Sequence, residues 1–167
     1  MWYNDYTKIR KEVNKMKQLN IKINFDMDGT IANLYAVEDW LPKLRNYNPT
    51  PYEEAVPLLR LCAFAKILNK LQKQGCEIGI ISWLSKDSNA EYDKAVTEAK
   101  IKWLEKHLPS VHWDSINIVP YGTPKENFCK DFDDILFDDE IQNRASWWAK
   151  GGKAYDENNI IEILKNL

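Results

Sequence analysis

The sequence predicts an α/β protein built on an open, mainly parallel sheet with helices on both faces. Three observations carry that reading. Short runs of β-forming residues, each ending in a polar loop, recur along the chain at Ile21 to Phe25, Cys76 to Ile81, Ile116 to Val119 and Ile135 to Phe137. Helical patterns of crossover length separate the first runs, which is what parallel neighbours require. The run Cys76 to Ile81 is apolar apart from Glu77 near its start and one glycine, as in a strand buried on both faces. A chain of 167 residues fits a single domain, 1–167, with a core of its own.

Element by element, Tyr6, Ile9, Val13 and Met16 recur at helical steps and predict an amphipathic leading helix within Met1 to Lys17. Ile21, Ile23 and Phe25 alternate with polar residues and run into Asp26, a short strand ending at an acidic loop. The segment 33–57 differs in character. It carries Tyr35, Trp40, Tyr47, Tyr52 and several prolines, and predicts short helices broken by turns, a small cap inserted after the first strand. Leu58 to Gln74 presents Leu61, Phe64, Ala65, Leu68 and Leu71 on one face and stops at Gly75. After the second strand, Ser82 to Asn89 reads as a loop. Ala90 to Leu108 reads as a long charged helix burying Ala95, Ala99, Ile101, Trp103 and Leu104. The turn Tyr121-Gly122-Thr123-Pro124 leads into a short helix from Lys125, and the strand Ile135 to Phe137 ends at Asp138 and Asp139. A helix through Trp147, a strand Lys153 to Tyr155 and a helix from Asn158 complete the chain.

Composition narrows the function classes. The formal net charge is -2, so no global basic field draws the chain onto a nucleic-acid duplex or an anionic membrane. No apolar run approaches the roughly 20 residues that span a bilayer. The 3 cysteines, Cys62, Cys76 and Cys129, lack metal or disulfide spacing and read as reduced thiols of a cytoplasmic protein. His107 and His112 lack partners at ligand spacing and receive no role.

In open α/β sheets, ligands bind beyond the carboxyl ends of the strands. Asp26, Asp28, Ser82, Asp138 and Asp139 all fall at such ends, and Lys125 follows another. A carboxylate can attack phosphorus and form an acyl-phosphate, splitting one hard displacement into two easier ones. A second carboxyl can protonate the leaving oxygen and later take a proton from water. Crowded carboxylates call for a hard cation, and one or two of them with substrate phosphate and water is the usual magnesium arrangement. Lys125 can neutralise a phosphoryl group, and Ser82 can hold its oxygens. A cation at a helix start sits badly with the helix dipole, which favours an anionic partner for Lys125. Asp138 and Asp139 have a plainer reading as caps of the following helix.

The run Asp26-Met27-Asp28-Gly29-Thr30 resembles the first motif of the haloacid dehalogenase (HAD) superfamily of phosphatases. Ser82, Lys125 and Asp138-Asp139 resemble its second, third and fourth motifs in the same order. Within that superfamily the chain is similar to the small 5'(3')-deoxyribonucleotidases and 5'-nucleotidases, on the paired Asp138-Asp139 and the helix end Lys102 to Leu108. The resemblance implies Asp26 as nucleophile, Asp28 as acid/base, and Ser82 and Lys125 as phosphate ligands. It also implies a magnesium ion held by Asp26, Asp138 and the main-chain carbonyl of Asp28, with Asp139 behind them or as an alternative ligand. Trp83 departs from the small polar residue common after the second-motif hydroxyl, and the cap is short.

The expected function is magnesium-dependent hydrolysis of a phosphomonoester, with a 5'-(deoxy)nucleotide as favoured substrate. Two alternatives stay open: a phosphatase for another small metabolite or a polynucleotide end, and a non-catalytic member that binds phosphate or protein. Tyr35, Trp40 and Tyr47 either pack the cap or stack on a base. Trp148 either packs or marks a homodimer surface.

Overall fold

The computed structural model describes residues 19–167, and the leading helix expected over Met1 to Lys17 lies outside them. From Leu19 the chain enters strand β1 (Lys22–Phe25). It then folds through an antiparallel two-stranded ribbon, β2 (Ala32–Asn33) and β3 (Val56–Pro57). Between the ribbon strands lie a 3-10 turn (Leu34–Ala36) and helices α1 (Trp40–Arg45) and α2 (Thr50–Glu54). Helix α3 (Leu61–Lys73) leads to β4 (Glu77–Trp83), and helix α4 (Ala90–His107) leads to β5 (Ser115–Val119). A 3-10 turn (Lys125–Phe128), β6 (Ile135–Phe137), helix α5 (Ile141–Ala149), β7 (Lys153–Tyr155) and helix α6 (Ile160–Lys165) follow.

The main sheet has the order β5-β4-β1-β6-β7, with every pairing parallel. The first strand is therefore central, as the expected parallel α/β architecture allows. Alternation turns Ile23 and Phe25 of β1 to one face of the sheet. Ile23 and Phe25 join Phe64, Leu68, Trp103, Leu104 and Ile160, so α3, α4 and α6 cover one face. Phe25 stacks on Phe137 with ring centroids 5.2 Å apart and meets Phe64 edge-on at 5.2 Å. Ile81, Leu136, Trp147 and Ala154 form the opposite core under α5. Gly79, the single glycine of the apolar run, sits between Asn24 and Ser115, where a Cβ would come 2.7 Å from Asn24 Oδ1 and 2.5 Å from Ser115 Oγ.

The structure adjusts several expected boundaries. Strand β4 continues through Ser82 and Trp83, which pair with Ile118 and Val119, so these residues belong to the sheet and not to the loop. Helix α4 buries Tyr92, Val96 and Lys100 beside Ala99, Trp103 and Leu104, whereas Ala95 and Ile101 are only half-buried. The segment 33–57 contains the expected short helices, and the ribbon that closes its base is an addition. It packs onto α4 through Leu34, Leu44 and Tyr52 against Tyr92, Val96 and Ala99. Trp103 Nε1 fastens it by donating to the Ala55 carbonyl at 2.6 Å. Trp147 is buried, while Trp148 is exposed and its indole donates to the Ala154 carbonyl. Among the described residues, no helix is long and apolar enough to cross a membrane.

Candidate active site

The register sets the site. Phe25 lies level with Ile80 and Phe137 in parallel strands, so Asp26, Ser82 and Asp138 all lie toward the same carboxyl edge of the sheet. Asp26 extends β1 by one more rung, its N–H donating to the Phe137 carbonyl at 2.9 Å. The next turn is compact, because the N–H groups of Thr30, Ile31 and Ala32 all reach the Met27 carbonyl. Gly29 lies in that turn at φ +81°, and a Cβ there would collide with the Asp139 carboxylate and the Tyr35 ring. Glycine is therefore required here for two reasons, the positive φ and the close approach of β6's acidic loop.

Two buried lysines reach this edge from opposite faces of the sheet. Lys125, on the turn packed against the α5-side core, donates to Asp26 Oδ1 at 2.7 Å and Asp138 Oδ2 at 2.6 Å. Burial opposes its charge, but Asp26 and Asp138 more than offset this and hold its pKa above the usual lysine range. Its ammonium also lies 5.0 Å from the centre of the Trp83 ring, so the unexpected tryptophan after Ser82 serves as a wall for this cation. The helix start at Lys125 is a single 3-10 turn, and its anionic partners here are the two carboxylates.

Lys100 comes from α4 on the other face and donates to Asp28 Oδ2 at 2.6 Å, Ser82 Oγ at 2.7 Å and the Trp83 carbonyl at 2.7 Å. It also stands 4.9 Å from the centre of the Tyr52 ring. Sequence reasoning missed this residue by treating α4's charges as solvent-facing. The available signal was its spacing, since Lys100 follows Val96 by four and precedes Trp103 and Leu104 on the buried stripe.

The acidic side is equally ordered. Asp138 is fully buried and accepts from Glu140 N–H at 2.9 Å and from Asn143 Nδ2 at 3.2 and 3.1 Å. Arg144 donates to the Asp138 and Asp139 carbonyls at 2.7 and 2.8 Å, which fixes the loop's backbone. Thr30 Oγ1 lies 3.5 Å from Asp26 Oδ2 and 3.3 Å from Asp139 Oδ1, and accepts from the Asp139 N–H at 3.1 Å. Burial and the charge of Asp26 push Asp138 up to about 6 and Asp139 up to about 7. Burial likewise raises Asp28, against the downward pull of Lys100.

These raised carboxyls mark a crowded anionic cluster in which a hard divalent cation relieves repulsion. Among the described residues, no three acidic, imidazole or thiol groups already form a metal cage. Magnesium asks for less, one or two carboxylates completed by phosphate and water. The residues present fit that ion. One carboxyl oxygen of Asp28, Oδ2, is held by Lys100 at 2.6 Å, and the expected contribution of this residue to the ion is through its main-chain carbonyl.

Above the sheet edge opens a cavity of about 540 Å³ with Asp26, Asp28, Lys125 and Asp138 in its floor. Tyr35, Trp40, Tyr52, Trp83 and Tyr121 form its aromatic walls, with Arg45 and Lys86 among its lining. Tyr35 meets Trp40 at 5.1 Å between ring centres, and Trp83 meets Tyr121 at 5.1 Å. Tyr47 points elsewhere, packing on Tyr92 at 5.4 Å. Ser82 is buried in the floor behind the cavity, held by Lys100.

The fold is similar to that of D,D-heptose 1,7-bisphosphate phosphatase from Burkholderia thailandensis, with a TM-score of 0.57 at 10% identity, covering 87% of this chain and 96% of that one. It is similar also to D,D-heptose 1,7-bisphosphate phosphatase from B. bronchiseptica complexed with magnesium and phosphate, with a TM-score of 0.51 at 12% identity, covering 80% of this chain and 78% of that one. The chain has the fold of these phosphatases. No protein-family model and no curated protein matches the sequence. At such identities the likeness establishes architecture, and activity has to be argued from the site.

Proposed function

We propose that the chain is a magnesium-dependent phosphomonoester hydrolase working through a phosphorylated Asp26. The observation that carries this reading is the meeting of Asp26, Asp28, Asp138, Asp139, Lys125 and Ser82, drawn from separate strand ends, around the floor of one crevice. The resemblance to HAD phosphatases and the fold shared with two phosphatases support it.

In the first step a carboxylate oxygen of Asp26 attacks phosphorus and the ester P–O bond breaks. Its electron pair leaves on the substrate oxygen, which takes a proton from Asp28. In the second step water attacks the acyl-phosphate at phosphorus and gives its proton to Asp28, and the electron pair returns to the Asp26 carboxylate. Lys125 orients Asp26 and carries positive charge beside the phosphoryl oxygens, while Ser82 supplies a hydroxyl to one of them. Magnesium, when bound by Asp26, Asp138 and the Asp28 carbonyl, neutralises phosphoryl charge, and Asp139 stands as the alternative ligand.

For the substrate we favour a 5'-(deoxy)nucleotide, because flat aromatic faces at Tyr35, Trp40, Trp83 and Tyr121 suit a base. A sugar phosphate is the second reading, favoured by the likeness to two phosphatases of a sugar bisphosphate. The free thiols Cys62, Cys76 and Cys129 suit a reducing compartment, and we assign the chain to the cytoplasm. The test is hydrolysis of an aryl phosphate with magnesium, beside Asp26→Asn and a chelator. We expect metal-dependent turnover that drops on the order of 10⁴-fold in the variant. An inactive wild type, or a fully active variant, refutes the proposal. Equal rates across a panel of nucleotides and sugar phosphates remove the nucleotide preference.

A further inference from the structure

We infer that Lys100 is a positioning residue that holds the acid/base Asp28 and the buried Ser82 behind the crevice floor in register with each other. The inference rests on the phosphohydrolase reading and adds to it a residue outside the motifs that suggested that reading.

An ammonium has three N–H donors, and Lys100 directs one to each of Asp28 Oδ2, Ser82 Oγ and the Trp83 carbonyl. All three are thus committed, and the side chain is only 1% exposed, so Lys100 has no free donor for a substrate phosphate. Its effect is exerted through its partners. By donating to Asp28 Oδ2 it fixes the carboxyl's rotation and leaves Oδ1 as the oxygen available for proton transfer. By donating to Ser82 Oγ it occupies a lone pair of that hydroxyl, so the hydroxyl's own proton is free to turn toward an anion. By donating to the Trp83 carbonyl it fixes the strand end that carries Ser82. Tyr52 covers the ammonium at 4.9 Å and ties this arrangement to the segment over the crevice.

The consequence for catalysis is uneven across the two steps. Transfer to Asp26 from an aryl phosphate has a good leaving group and needs little help from Asp28. Hydrolysis of the phosphorylated Asp26 needs Asp28 aimed at the attacking water. Loss of Lys100 therefore slows the second step more than the first.

The test is rapid-mixing kinetics with p-nitrophenyl phosphate and magnesium on wild type, Lys100→Met and Lys100→Arg, each checked for folding by circular dichroism. Lys100→Met is expected to release one equivalent of p-nitrophenol in a burst, followed by a steady rate about 100-fold below wild type. Lys100→Arg, which keeps charge and donors in a different geometry, is expected to show the burst with a rate about tenfold below wild type. A folded Lys100→Met with the wild-type steady rate overturns the inference alone. So does a uniform loss with no burst, because a phosphate ligand or a structural prop slows the first step too. If Lys100→Met fails to fold, Lys100→Arg decides, and a wild-type steady rate in it overturns the inference. A wild type without turnover on any phosphate ester sinks the hydrolase reading, and the Lys100 inference with it.

Discussion

The floor of the crevice and its aromatic wall are built on different principles. The floor is an interlocked polar network: Lys125 bridges Asp26 and Asp138, Asn143 and the Glu140 N–H complete Asp138, and Lys100 joins Asp28 to Ser82. Its carboxylates and Ser82 leave from the ends of β1, β4 and β6, inner strands of the sheet, while Lys125, Lys100 and Asn143 reach them from a 3-10 turn and two helices. The wall draws Tyr35, Trp40 and Tyr52 from the insertion, Trp83 from the end of β4 and Tyr121 from the turn after β5, with Tyr35 and Tyr121 about half exposed. The reacting carboxylates stand on the sheet, and most groups that only need to offer a surface stand on the insertion and the loops. Chemistry and selectivity are thereby separable in this molecule.

That separation can be broken by substitution. The largest effect is expected for Lys125→Met, which leaves Asp26 and Asp138 facing each other without their cation. Removing one partner of a buried charged cluster costs about 3 kcal/mol, to be read from urea unfolding of the metal-free protein. A variant as stable as wild type contradicts the interlocked floor. A smaller effect is expected at the wall. Tyr35→Ala or Trp40→Ala should raise KM for a 5'-nucleotide about tenfold, within the range of one lost base stack, and leave urea unfolding nearly unchanged. A fall in kcat as large as that of a floor variant erases the distinction.

The smallest effect concerns pH without metal. Asp138 and Asp139 are raised from 3.8 to about 6 and about 7, chiefly by burial and then by Asp26. A carboxyl with a raised folded pKa favours the folded state most below its unfolded value, and that stability is lost as pH climbs through the folded pKa. The thermal midpoint of the metal-free protein should therefore fall by a few degrees from pH 4 to pH 7. Magnesium should restore more at pH 7 than at pH 5. A midpoint indifferent to magnesium at pH 7 argues against the cation at this cluster.

Much of the sheet was legible because alternation and apolar runs report burial directly, as at Ile23, Phe25 and Ile135 to Phe137. Asp26 was legible because it follows such a run. Ser82 was placed in a loop since a serine and a tryptophan do not extend an apolar pattern, yet hydrogen bonding to Ile118 and Val119 keeps both in the strand. The β2–β3 ribbon was hidden because its strands are two residues long, too short for any period. Lys100 was hidden for an electrostatic reason. A charge on a buried helix face is stable only when its partners are supplied from elsewhere, and here they come from β4 and the β1 loop. Asn143 was missed likewise, since its partner Asp138 lies across the turn that precedes α5.

The last rung of β1 carries one more implication. Because the Asp26 N–H is spent on the Phe137 carbonyl, the attacking residue's backbone belongs to the central ladder of the sheet and not to the loop that follows. Its reorganisation energy on meeting a substrate is accordingly small, with no backbone entropy left to lose at that atom. Whatever motion accompanies turnover must be sought in the ribbon and its helices.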